Sequence, residues 1–142
     1  MANEAVLIYR YSDPIDFIVA DGTGINKGAL LTFVDPLTAS IATNGPVPVA
    51  GFAAREKVAS DTRVRLAVYQ DGVFRCYASG SITAGDGVIV SALATTYPNY
   101  VESQKVVASG SYAHLVGYAL ETASNGQQLL VNLKPSTTIA QN

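Results

Sequence analysis

The chain has no tryptophan, one methionine, one cysteine and one histidine in 142 residues. Each scarcity closes a class of chemistry. A single cysteine, Cys76, cannot form an internal disulfide, and with a single imidazole, His114, no His/Cys metal-ligand spacing exists. Charge is scarce too: 14% of residues are Asp, Glu, Lys or Arg, against about 25% in an ordinary soluble domain. The net charge is −2, which leaves no basic footprint for nucleic acid. No apolar run approaches the ~20 residues of a membrane span. Met1-Ala-Asn-Glu4 has neither the basic nor the apolar region of a secretory signal, so synthesis and folding in a reducing cytoplasm are expected.

What the chain does have is a stretch used twice. Val49-Ala-Gly-Phe-Ala-Ala-Arg-Glu-Lys-Val-Ala-Ser-Asp-Thr-Arg-Val-Arg-Leu-Ala-Val68 is answered by Leu115-Val-Gly-Tyr-Ala-Leu-Glu-Thr-Ala-Ser-Asn-Gly-Gln-Gln-Leu-Leu-Val-Asn-Leu133. Each copy carries a Gly-aromatic-Ala step, at Gly51-Phe52-Ala53 and Gly117-Tyr118-Ala119, then a polar connection and an alternating strand. Val64, Leu66 and Val68 are expected inward in the first copy, and Leu129, Val131 and Leu133 in the second, a period of two that marks a strand with one buried face. The second connection reads as one residue shorter and holds Asn125-Gly126, a tight-turn signal. Upstream, Ile25-Asn-Lys-Gly28 and Ile82-Thr-Ala-Gly85 each lead into an apolar strand. The duplication so read spans Gly24–Tyr69 and Gly80–Leu133, and two copies fit one closed barrel better than a solenoid.

The remaining segments follow the same grammar. Ala5–Tyr11 is a strand outside the duplication, stopped by Ser12-Asp13-Pro14. Ile15–Ala20, Leu30–Val34 and Val73–Ala78 are further strands. Ala53–Ala59 is the one place for a helical turn, with Arg55, Glu56 and Lys57 on its wet side. Thr95–Gly110 reads as an irregular excursion, and Pro135–Asn142 as a polar, mobile tail. The fold class is therefore all-β: a small barrel or sandwich of two related halves with an N-terminal arm or extra strand. The expected organisation is residues 1–14 as arm, 15–134 as barrel and 135–142 as tail.

Chemistry finds little purchase. His114 stands at a strand entry, and Cys76, alternating within Val73–Ala78, reads as a small buried apolar residue. Asp13, Asp16 and Asp21 flank turns, where Asp belongs. Gly22-Thr-Gly24 and Gly85-Asp-Gly87 lack the strand–helix context and the lysine of a phosphate loop. Arg63 and Arg65 share a strand face and are candidates to meet carboxylates of a neighbouring subunit. No catalytic, cofactor-binding or metal-binding residue is assigned, and no enzyme activity is expected.

The segments Ala20-Asp-Gly-Thr-Gly-Ile-Asn-Lys-Gly-Ala-Leu-Leu31, Asp35-Pro-Leu-Thr-Ala-Ser40, Ala50-Gly-Phe-Ala-Ala-Arg-Glu-Lys-Val-Ala59 and Gly117-Tyr-Ala-Leu-Glu-Thr-Ala123, in that order, resemble the head-decoration (capsid cement) proteins of tailed bacteriophages. The resemblance runs from Met1 to Leu133. It implies a structural virion protein on the capsid surface, often trimeric, that ties neighbouring capsomers together against the pressure of packaged DNA. Its partners would be the major capsid protein and its own copies, with no nucleic acid and no membrane. The family's N-terminal segment engages the shell, and here that segment is Ala2–Tyr11. Val6, Leu7, Ile8, Tyr9 and Tyr11 are accordingly the candidate capsid-binding residues, and Arg63 and Arg65 the candidate oligomer interface. Two rivals are a head–tail or tail-associated module, with tens of copies per particle, and a carbohydrate- or peptide-binding barrel using the Tyr-rich excursion.

Overall fold

A computed structural model describes residues 5–42, 47–91, 100–103 and 112–139. Among these residues there is no helix, and eleven strands form two sheets. Strand β1 (Val6–Tyr9) comes first. It is followed by β2 (Ile15–Ile18), β3 (Leu30–Asp35), β4 (Thr38–Ile41), β5 (Val49–Ala53) and β6 (Arg65–Tyr69). The second group is β7 (Gly72–Ala78), β8 (Gly87–Val90), β9 (Tyr100–Ser103), β10 (Tyr112–Ala119) and β11 (Gln128–Ile139).

The two halves each close on themselves. The first is a barrel in the order β2-β4-β3-β5-β6, and the second runs β7-β11-β10-β8-β9, with a β7–β9 pairing that completes the ring. The topologies are the same strand for strand, down to one parallel pairing in each, β2 with β4 and β7 with β9. The expected single closed barrel is thus two small barrels in tandem. Five strands are enough because alternating Ala, Val and Leu fill so narrow an interior, and closure leaves no edge within either ring.

The register of the repeat is fixed by backbone bonds. Leu31 pairs with Gly51 as Val88 pairs with Gly117, and Ile15 pairs with Val68 as Phe74 pairs with Val131. Ile25 and Lys57 exchange bonds as Ile82 and Ala123 do, and Gly28 donates to Ala53 as Gly85 donates to Ala119. Ala54 donates to the carbonyl of Ala67, and Leu120 to that of Leu130. These bonds equate Val68 with Val131, so the second connection is three residues shorter, not one. The three extra residues also displace Val64, which is exposed and not inward. The repeat starts earlier than the sequence indicated, since β2 and β7 belong to it.

At Gly51 and Gly117 the chain approaches its neighbour so closely that a Cβ would stand 1.9 Å from the Tyr69 carbonyl oxygen or 1.8 Å from that of Asn132. Only glycine permits that approach, which is why the Gly-aromatic-Ala step occurs in both halves. The step also splits the side chains of β5 between two cores. Ala50 and Ala53 join Phe17, Leu31, Leu66 and Val68 inside the first barrel. Val49 and Phe52 join Phe74, Val116, Leu129 and Val131 in the second core. All five residues of β5 are buried as a result, and β5 is the strand of the first barrel that packs against the second core.

Other expectations change. No helical turn forms at Ala53–Ala59: β5 ends at Ala53, and Lys57 bridges back to Ile25. The excursion Thr95–Gly110 contains β9, and its remaining residues lie outside the described ones. Pro135 does not begin a loose tail, because β11 runs on to Ile139 against Tyr112–Leu115. The register shifts between Leu115 and Gly117, so Pro135, which has no N–H to give, sits at the irregularity where the ladder needs none. Residues 140–142 lie outside the described ones.

Candidate interaction surfaces

Strand β1 lies outside both rings, antiparallel to β7, with Val6 opposite Arg75 and Leu7 opposite Phe74. Ala5 donates its N–H to Gly28 of the first barrel at 3.0 Å, and Ser12 Oγ donates to Asp71 at 2.8 Å. The segment therefore crosses from one barrel to the other. Of the five candidate residues, Leu7 is packed on the second core, while Val6, Ile8, Tyr9 and Tyr11 are exposed. Among the described residues β1 ends the strand order, and no strand pairs with its far edge. An open edge flanked by apolar side chains is the arrangement that accepts a partner strand.

Arg63 and Arg65 meet Arg55 and Asp16 around a groove of about 400 Å³ on the first barrel. The sequence placed Arg63 and Arg65 together, and folding adds the other two from distant segments. On the second barrel a groove of about 520 Å³ is lined by Gly85, Gly87, Leu115, Gly117, Tyr118 and Lys134. Neither the Arg55 and Asp16 contributions nor this second groove was legible without strand register.

Lys57 is the surprise of the first barrel: at 1% exposure it is buried, not wet. Its Nζ donates to the Asp21 carbonyl at 3.0 Å, Asp21 Oδ1 at 3.2 Å, the Val58 carbonyl at 2.9 Å and Asp61 Oδ1 at 2.8 Å. Burial pulls the Lys57 pKa down, but the hydrogen bonds and charges of Asp61 and Asp21 outweigh it and hold the value above 10.5. The bond from Lys57, then the backbone N–H of Arg63, holds Asp61 below 3.8. The ammonium clips the β5–β6 connection to the end of β2. Its counterpart Ala123 needs no clip, because the shorter second connection turns through Gly126 instead.

The remaining titratable candidates do not converge. Cys76 is buried, and burial pushes its thiol pKa up, so it stays a thiol. His114 is half-buried beside Phe33, Val49 and Pro135. Asp13 pairs with Arg10 at 3.5 Å, Asp16 faces the arginine groove, and Asp21 holds Lys57. Among the described residues no group of three His, Cys, Asp or Glu side chains could hold a metal ion, and no helix is long and apolar enough to cross a membrane.

Comparison with known proteins adds three findings. A family profile described as phage cement protein matches residues 10–135. Among solved structures, the N-terminal base of the head fibre protein gp8.5 of bacteriophage phi29 is similar, with a TM-score of 0.53 at 17% identity. The match covers 84% of this chain and 93% of that one. No curated protein sequence matches.

Proposed function

This chain belongs to the phage cement protein family, and from that premise we propose that it binds the outer surface of the capsid through β1 and ties adjacent capsomers together. Membership makes it a capsid-stabilising structural protein of the virion and implies a non-enzymatic role. The finer reading has the major capsid protein as its partner and a homotrimer as the unit that docks, placed on the head after synthesis in the host cytoplasm. There it resists the outward load of packaged DNA.

One observation carries this reading: β1 is anchored by Leu7 from beneath and, among the described residues, has no strand on its far edge, with Val6, Ile8, Tyr9 and Tyr11 exposed. A shell segment added to that edge gains main-chain hydrogen bonds, while the exposed side chains set its register. A single short strand is a weak anchor. Three linked copies gain roughly 10²–10⁴ in avidity without any new kind of contact. Arg63 and Arg65 are proposed at the boundary between copies, where their groove offers guanidinium groups to a neighbour's carboxylates.

The test is a binding assay on capsids stripped of this protein. Deleting the whole segment would strip Ala5 and Leu7 from the core, so the variant is Ile8→Lys with Tyr9→Ser, and the control is Val58→Lys on the exposed surface of the first barrel. The double variant should stay folded and lose co-sedimentation with capsids by at least tenfold, while the control binds as wild type does. Undiminished binding by the double variant would refute the role of β1.

A further inference from the structure

The duplication places one barrel–barrel interface inside the chain, and among the described residues the central side chains of both counterpart faces, Tyr118 and Ile15, are exposed. On the first barrel, Leu30, Val49, Phe52 and Tyr69 face the second barrel. The Phe52 ring lies 4.4 Å from Phe74 and the Tyr69 ring 5.8 Å from it. By strand register the counterparts of these four are Gly87, Leu115, Tyr118 and Asn132 on the second barrel, and the counterpart of Phe74 is Ile15 on the first. Exposure separates the central residues of the sets: Phe52 is 0% and Phe74 1% exposed, whereas Tyr118 is 41% and Ile15 43% exposed; Gly87, Leu115 and Asn132 are half-buried.

We propose that these two uncovered faces meet between copies of this chain. The Tyr118 face of one copy's second barrel covers the Ile15 end of the next copy's first barrel, as Phe52 covers Phe74 within a copy. Three features favour a second copy as occupant. The contact repeats an interface that the fold already makes, so its shape is built in. Gly87 stands where Leu30 stands in the first half, and its missing side chain helps to open the groove of about 520 Å³ beside Tyr118. Tyrosine in place of phenylalanine keeps the apolar ring and adds a hydroxyl, as suits a face that is wet before it is covered. Lys134, at the position equivalent to Asp71, lines the groove, and Asp16, at the position equivalent to Arg75, stands beside Ile15.

Such a contact is heterologous, one patch against a different patch, and it either closes into a ring or runs on as a filament. Three copies in a ring place six barrels in succession, with intrachain and interchain interfaces alternating. Asp16 also lines the Arg55, Arg63 and Arg65 groove, so the Ile15 end adjoins the arginines assigned to the same boundary. The inference deepens the self-association part of the proposed function. Its solution test needs no capsid, so its failure leaves the β1 reading standing.

The experiment uses Tyr118→Cys and Ile15→Cys with a short bismaleimide cross-linker, Cys76 being buried and unreactive. Neither single variant should cross-link to itself. An equal mixture should give a covalent dimer, and the double variant a covalent ladder ending at the closed ring. Light scattering should show wild type as an oligomer, with Tyr118→Asp and Ile15→Asp as folded monomers. Self-cross-linking of either single variant would mean a two-fold contact and overturn the proposal. A mixture that fails to cross-link, a wild type that is monomeric at high concentration, or cross-linking only to shell protein on decorated capsids would overturn it as well.

Discussion

Gly117→Ala is the change that most directly probes how the two strands of the repeat unit come together. The added Cβ would lie 1.8 Å from the Asn132 oxygen and 2.9 Å from the Lys134 nitrogen, all backbone atoms that cannot swing aside. To reach ordinary van der Waals distance, β10 and β11 must separate by about 1.5 Å at that point. The separation sacrifices one or two ladder hydrogen bonds, each worth about 0.5–1.5 kcal/mol. It also disturbs Val116, Leu129 and Val131, which are fully buried, at an overpacking cost of about 1–3 kcal/mol. At the middle of these ranges the expected loss is about 3–4 kcal/mol. With a urea slope of about 1–3 kcal/mol/M for a chain of this size, the unfolding midpoint should fall by at least ~1 M. Gly126→Ala is the control. Its φ is +82° but nothing stands within 4 Å of the new methyl, so only the left-handed penalty of about 1–2 kcal/mol applies. If urea titrations monitored by circular dichroism place the two variants within 1 kcal/mol of each other, the close-approach argument is wrong. Gly51→Ala should resemble Gly117→Ala, with the added strain of φ +143°.

Phe74→Ala should destabilise by about 3–5 kcal/mol, and a double-mutant cycle with Phe52→Ala should show coupling of about 0.5–1.5 kcal/mol, read by denaturant titration. Leu66→Asp or Val131→Asp, each placing a charge in a closed barrel, should prevent folding, and a native spectrum from either would contradict the assigned interiors. Lys57→Met should change the pH profile of the melting temperature in a defined way. Asp61 is held below 3.8, so its stabilisation is present above that value and lost as pH falls through the lower folded pKa. Lys57 is held above 10.5, so its contribution is complete below 10.5 and lost as pH rises through the higher folded pKa. Lys57→Met should weaken both limbs, and an unchanged acid limb would show that Asp61 does not depend on this partner.

How much of this was legible in the sequence depends on whether the signal was local. The Gly-aromatic-Ala step and the Ile-x-x-Gly turn are short, and both occupy equivalent places in the two halves. The alternation of Leu129, Val131 and Leu133 gave a correct inward face because a strand's period needs no tertiary information. Val64 broke the same rule because the strand starts at Arg65, and the residues before it belong to a connection whose length is set by the Lys57 clip. Residue type alone places Lys57 in solvent, since lysine is almost never fully buried unless it is paired. Its partners Asp21 and Asp61 are recognisable only once β2 and the β5–β6 connection are adjacent. The sequence does not distinguish two barrels from one, because closure is a matter of long-range pairing. The strands that complete it, β2 and β7, share no residues: Ile15, Asp16, Phe17 and Ile18 are the counterparts of Phe74, Arg75, Cys76 and Tyr77.

That divergence follows from the places the two strands occupy. Phe74 is covered by the first barrel, so a large ring is stabilising there, and Cys76 below it must be small. Ile15 has no barrel over it, so a smaller residue closes the mouth while the bulk moves inward to Phe17, which is fully buried. The large ring sits at the covered end of β7 and two residues further in on β2, according to whether the end is covered. The same logic applies where Leu30 became Gly87 and Lys57 became Ala123. In a duplicated fold the shared residues record what closes a barrel, and the unequal ones record what each barrel touches. Exchanging the pair Ile15–Phe17 for Phe–Cys should therefore leave the first barrel folded but add an exposed ring at its mouth. If the Ile15 end is covered by a neighbouring copy, that ring should tighten self-association as measured by light scattering. If the end faces only water, it should lower solubility with no gain in a defined oligomer.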